Sequence, residues 1–154
     1  METANPIYNA VFKNMMDVTK LPFNHFIGLK ISNRDEYLLM LENRPEYLNH
    51  LNTVHASAQF ALAEATSGYF LLNEFSELTD IAPVVRKVET KYRKPVTGSV
   101  FSKAKFQEIS KGEVLDEFNR KERAVLKVEV SLFDENDEHV MQSVFEWFVT
   151  KFKK

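Results

Sequence analysis

Val54-His-Ala-Ser-Ala-Gln-Phe-Ala-Leu-Ala-Glu-Ala-Thr-Ser-Gly68 decides how this chain reads. Small and apolar residues surround a single carboxylate, Glu64. Phe60, Ala61, Leu62, Ala63 and Ala65 fill the helical circle around it, so no rotation of a helix gives it an ordinary solvated face. An ionised carboxylate in such surroundings is costly unless it is paired or put to work. Carboxylates held in dry clefts are where general bases are found, which makes Glu64 the first catalytic candidate.

Working outward, the spacing predicts a long helix over about 54–73. Before it, Ile27 to Ile31 and Tyr37 to Leu41 are short apolar runs on either side of a polar turn, the pattern of a hairpin. After it come four strand candidates, 82–93, 96–109, 122–133 and 139–151, and Asp134-Glu-Asn-Asp137 marks the last hairpin turn. At the start, Ile7, Val11, Met15 and Val18 recur at helical spacing between Pro6 and Lys20, which predicts a short amphipathic helix (1–20) packed on the body as a lid or cap. The expected fold class is α+β, with one long central helix against a broad, curved antiparallel sheet.

The 154 residues suit a single domain, 1–154, and 44% hydrophobic with 27% charged residues is the composition of a soluble globular protein. No apolar run is long enough to span a bilayer, and the start lacks the basic-then-apolar pattern of a secretory signal, so the expected compartment is the cytoplasm. With no cysteine there is neither disulfide nor thiol chemistry. A net charge of -2 gives no broad attraction to nucleic acid. No metal-ligand cluster, glycine-rich phosphate loop or nucleophile elbow is present, so neither a metal nor a separate cofactor is expected. His25 and His139 are isolated and read as ordinary surface or hydrogen-bonded residues, Trp147 fits a buried strand position, and most of the thirteen Phe, including Phe12, Phe23, Phe26 and Phe60, are expected in the core.

On the predicted helix, Ser57, Phe60, Ala61, Glu64, Ser67 and Gly68 share one side. Small residues beside the acid leave room for a slender substrate chain, or equally allow a helix to pack closely on a sheet. The unpaired N–H groups near His55, Ala56 and Ser57 can bind a developing oxyanion, as at any helix start.

Asn49-His-Leu-Asn-Thr-Val-His55, followed by Ala56-Ser57 and then Glu64-Ala-Thr-Ser-Gly68, resembles the core motif of hot-dog thioesterases of the phenylacetate-pathway type. That motif runs Asn, five residues, His-Gly-Gly, and an acid nine residues after the His. Lys91-Tyr-Arg-Lys-Pro95-Val-Thr-Gly98 resembles the strand that follows in the same family. The resemblance covers about residues 25–150 and implies a hot-dog fold, a long helix wrapped by a strongly bent antiparallel sheet. Two subunits then pair edge to edge, as a homodimer or as a dimer of dimers (a homotetramer), with acyl-CoA sites between them. It also implies hydrolysis of an acyl-CoA thioester by Glu64 as base or nucleophile. Asn49 and the Ala56 backbone N–H would hold the reacting groups, with His55 supporting their loop. Substrate contacts would come from Ser57 and Tyr92, and CoA phosphates would meet Arg93 and Lys94 together with Arg120, Lys121 and Arg123 in the later turn. A sulfur leaving group needs little protonation, so one acid and an oxyanion site suffice.

The chain departs from the family where Gly-Gly becomes Ala56-Ser57. It departs again at Val84-Val85-Arg86, where some relatives carry a hydroxyl that orients water. Two other functions remain open. One is a noncatalytic acyl-CoA binding module. The other is a hydroxyacyl dehydratase using His50 and Glu64, although the proline and glycine pattern of such enzymes is missing.

Overall fold

The computed structural model describes residues 17–78 and 80–152. Among them six strands form one antiparallel sheet in the order β1-β2-β4-β5-β6-β3: β1 Lys30–Ile31, β2 Leu39–Leu41, β3 Ile81–Tyr92, β4 Val100–Gln107, β5 Arg123–Phe133 and β6 His139–Lys151. Three α-helices accompany it: α1 Pro22–Phe26, α2 Ala56–Glu74 and α3 Lys111–Lys121. The long helix α2 lies against β2, β4, β5 and β6. β5 and β6 alternate buried and half-buried residues along their length, so one face of the sheet meets the helix and the other faces outward. Fully buried Leu62 and Leu71 on α2 and Leu126, Val128, Val130, Leu132 and Phe145 on the strands form the centre of the core. Each such side chain contributes about 1.5–3 kcal/mol relative to exposure.

Two buried polar contacts fix α2 on the sheet. The Thr66 hydroxyl donates to the Ser102 hydroxyl at 2.7 Å, and the Trp147 indole N–H donates to Ser67 Oγ at 3.2 Å. Gly68 lies against the same indole, and a Cβ there would stand 3.6 Å from the ring. The β5–β6 hairpin turns where expected: Asp134 Oδ1 accepts the N–H groups of Asn136 and Glu138, and Asp137 takes a left-handed φ of 62°.

Several expectations change. The helix expected over 6–20 lies mostly outside the described residues. Within them, Asp17 has non-helical backbone angles and caps a single 3₁₀ turn at Val18–Lys20, so no helix continues through it. Pro22 opens α1 instead of closing a helix, since a proline at the first helical position loses no bond. Residues 111–121, expected as a turn, form α3. Its start is a capping box in which Ser110 Oγ accepts the Glu113 N–H and the Glu113 carboxylate accepts the Ser110 N–H; Val114 and Phe118 bury its inner face. Arg120 and Lys121 are therefore the last turn of a helix. β4 begins at Val100, after Gly98 turns the chain at φ 82°. Phe23 and Phe26 are not core residues, being 63% and 84% exposed on α1, whereas Phe60 packs on Phe145.

Candidate active site

Glu64 sits at the middle of α2, half-buried, in the wall of a cleft of about 340 Å³. Helix α2 supplies one wall with Glu64, Ala65, Gly68 and Leu72, and Pro83, Val84 and Val85 of β3 with Trp147 of β6 supply a second. Val18, Leu21 and Asn24 close the third side. The volume is that of a small-molecule pocket, and the lining is apolar with few polar groups, as such pockets are.

Among the described residues no cation and no hydrogen-bond donor reaches the Glu64 carboxylate. Burial alone pushes its pKa above the usual carboxylate value, with no opposing charge to pull it back. The helix cannot rotate the acid away, because Thr66 and Ser67 are tied to Ser102 and Trp147 on either side of the turn that carries it.

The segment that leads into α2 forms the second part of the site. Asn49 Oδ1 accepts the N–H groups of Leu51 at 2.9 Å and Thr53 at 3.1 Å, and its Nδ2 donates to Thr53 Oγ1. Its carboxamide is thus spent on bracing the loop 49–53. His55 is the N-cap of α2: its Nδ1 accepts the Ser57 N–H at 3.0 Å, and its own N–H donates to the Tyr47 carbonyl at 2.7 Å. With Ser57 bound to His55, the Ala56 N–H has no acceptor among the described residues and faces an exposed helix start. The Tyr92 hydroxyl donates to the Ala56 carbonyl at 3.1 Å, which ties the far end of β3 to the same helix start. Burial raises the Tyr92 pKa and keeps the phenol a neutral donor.

Residues 9–149 match the family model described as a domain of unknown function, DUF4442. The chain belongs to that family. In three dimensions this DUF4442 chain is similar to a protein of unknown function from Pseudomonas aeruginosa described as a probable thioesterase, with a TM-score of 0.71, 21% identity and 99% of each chain covered. It is also similar to a protein of unknown function from Chlorobaculum tepidum, with a TM-score of 0.74, 22% identity, and 92% of this chain and 95% of that one covered. A third similar structure is a hypothetical thioesterase from Streptococcus pneumoniae solved with coenzyme A, with a TM-score of 0.64, 16% identity, and 93% of this chain and 99% of that one covered. No curated protein sequence matches the chain. The fold is the hot-dog fold of these structures.

The DUF4442 chain does not gather all the expected site residues in one place. Arg93 and Lys94 donate their N–H groups to the Val140 carbonyl, whereas Arg123 pairs with Thr150 and follows directly on α3 with Arg120 and Lys121. Ten residues of extended β6 separate the two groups, roughly 33 Å at strand rise. Within one chain they cannot meet one CoA headgroup. Lys94 is also paired with Glu138 at 3.0 Å and Lys121 lies near Glu117, while no ion pair engages Arg93, Arg120 or Arg123 among the described residues. Ala56 and Glu64 are eight residues apart on one helix, roughly 12 Å along its axis. His50 is exposed in the loop before α2.

Sequence reasoning missed Asn24, Leu21 and Pro83 as cleft residues. Leu21 and Asn24 lie together at α1, but Pro83 and Glu64 belong to distant segments, so no local spacing joins them, and only Trp147 offered a signal, as an expected buried strand residue.

Proposed function

We propose that this protein hydrolyses an acyl-CoA thioester to a free acid and CoA in the manner of phenylacetate-pathway-type thioesterases, with Glu64 as the base. The observation that carries this reading is an unpaired, half-buried carboxylate, its pKa raised by burial, at the wall of an apolar cleft. A base with a raised pKa is better matched to neutral pH than an ordinary carboxylate. Glu64 takes a proton from water, the water oxygen bonds to the thioester carbon, the C–S bond breaks, and the thiolate recovers the proton.

The oxyanion donor comes from a second copy. The Glu64 cleft borders the Ile81 end of β3 through Pro83 to Val85, whereas Ala56 is held at the Tyr92 end through its carbonyl, which leaves its N–H to a ligand. β3 is a twelve-residue strand at the edge of the sheet, and an open edge of that length favours pairing with an identical edge. Antiparallel pairing of two β3 strands about a twofold axis sets the Tyr92 end of one copy beside the Ile81 end of the other. The same operation brings Ala56 of the partner subunit toward Glu64, and joins the Arg93 and Lys94 group of one chain to the Arg120, Lys121 and Arg123 group of the other. The working unit in this reading is a homodimer, with CoA phosphates met by cations from both chains.

A panel of straight-chain and arylacetyl CoA esters, followed by thiol release, tests the reading. Glu64→Gln keeps the shape of the side chain, so folding by circular dichroism is retained, and turnover falls roughly 10²-fold to 10⁴-fold. Normal turnover in that variant removes Glu64 from the mechanism, and binding without thiol release by the wild type reassigns the protein as a noncatalytic acyl-CoA module.

A further inference from the structure

The cleft holds a second polar group besides the carboxylate. Asn24 on α1 is 5% exposed and lines the same cleft as Glu64. Its Nδ2 donates to the Val18 carbonyl at 2.9 Å, which fixes the carboxamide's orientation, because the opposite one would set two carbonyl oxygens against each other. Oδ1 is left without a partner among the described residues. The remaining polar group in the lining, the Trp147 N–H, is spent on Ser67 Oγ. Asn24 Oδ1 and the Glu64 carboxylate are therefore the side-chain groups of the cleft with bonding capacity to spare.

The segment that carries Asn24 is held in place. The Tyr47 hydroxyl donates to the Ile27 carbonyl just after α1. Gly28, at φ 77°, lets the chain pass so close to Arg44 and Tyr47 that a Cβ there would overlap them. An acceptor on a largely buried side chain at the cleft wall, kept in position and without a partner among the described residues, is suited to a ligand or a water.

We propose that Asn24 is a catalytic residue that orients the attacking water: its Oδ1 accepts one O–H while Glu64 accepts the other. This rests on the thioesterase reading. The water then has both hydrogens committed and a lone pair free for the thioester carbon. As the C–O bond forms, one proton passes to Glu64; as the C–S bond breaks, that proton goes to the thiolate. The acid product releases the second proton to solvent, and Asn24 exchanges none. Two acceptors of unequal charge give the water one orientation, whereas an isolated carboxylate in an apolar wall leaves it free to rotate.

The test uses the full chain, thiol release across a pH range, and circular dichroism to confirm folding. Asn24→Ala is expected to lower kcat roughly 10-fold to 100-fold with KM within about twofold, since the residue acts on the water and not on the acyl chain. Asn24→Asp is expected to move the acid limb of kcat/KM to higher pH, because a second carboxylate opposes ionisation of Glu64 and no other titratable residue lines the cleft among the described residues. A purely structural Asn24 would leave that limb where it is. Unchanged kcat in the first variant together with an unmoved limb in the second overturns the assignment. Should either variant fail to fold, a wild-type structure with a non-hydrolysable thioether analogue decides: one water within roughly 3.2 Å of both Oδ1 and the Glu64 carboxylate is expected, and its absence rejects the role. Glu64→Gln, assayed in parallel, separates the two readings. Lost turnover there beside normal Asn24 variants rejects Asn24 alone, while a wild type that releases no thiol rejects both.

Discussion

The two edges of the sheet are built in opposite ways. At one end β1 contributes two residues, Lys30 and Ile31, both exposed, and the chain leaves the ladder at once. At the other end β3 runs for twelve residues, bonded to β6 on one side and open on the other, with a register shift between Val85 and Lys87. A very short edge offers almost no template for another strand, while a long one does, and lysines and a bulge narrow the partners it accepts. The Glu64 cleft borders β3, and so does the tyrosine that holds the helix start. One edge is closed off, and the other borders the proposed site.

The sharpest way to break that comparison is to remove the donor proposed to come across the β3 edge. Ala56→Pro deletes the N–H that has no acceptor among the described residues, at the first helical position, where proline is well tolerated. The preceding His55, at φ -59° and ψ 140°, already has the conformation that precedes proline. Turnover is expected to fall roughly 10²-fold to 10³-fold with folding intact, the usual cost of one oxyanion donor; thiol release near the wild-type rate would mean that the helix start takes no part.

A second pair of variants sets the edges against each other. Val84, 58% exposed on β3, becomes buried if that edge pairs, and Val84→Asp then places an unpaired charge in the interface. Light scattering is expected to report two chains for the wild type and one for Val84→Asp, and mass is the readout because Val84 also lines the cleft. Ile31→Asp on β1 is expected to change neither mass nor rate. A monomeric wild type at assay concentration would leave the long edge without its function.

A smaller effect concerns stability. Burial raises the folded-state pKa of Glu64 above its unfolded value, so the folded chain binds the extra proton. The favourable contribution is complete below the unfolded value of 4.5 and is lost as pH rises through the folded pKa. Glu64→Gln should therefore raise the Tm at pH 7 by roughly 1–4 °C, and the gain should vanish near pH 4. Scanning calorimetry at the two pH values checks it, and an equal Tm difference at both would show that ionisation of Glu64 is not its cause.

Much of the fold was legible because its signals are local. The long strands alternate or run apolar over eight residues or more, and the central helix keeps its apolar circle from Phe60 to Leu72, so both were expected within a few residues of where they lie. The helix α3 escaped because only Val114 and Phe118 among its eleven residues are buried, and charged residues with Gly112 gave it the look of a turn. Its Ser110 and Glu113 box was nonetheless visible in the sequence. At the site, Glu64 stood out because a carboxylate among alanines conflicts with its surroundings. Asn24 did not, because an asparagine beside Pro22 reads as turn chemistry until Val18 and the cleft are seen around it. The basic groups show a different limit: sequence gives their charge, whereas the distance between them depends on the register of β6.

The position of the cleft beside an open edge also bears on inheritance. If each site takes Glu64 from one chain and the Ala56 N–H from its partner, two inactive alleles can rescue one another. A dimer of one Glu64→Gln chain with one Ala56→Pro chain carries both defects in a single site and leaves the other whole. Cells expressing both would recover about a quarter of wild-type activity from random pairing, although neither allele works alone. Loss at either residue would then be recessive to the other, a pattern that a site contained within one chain could not produce.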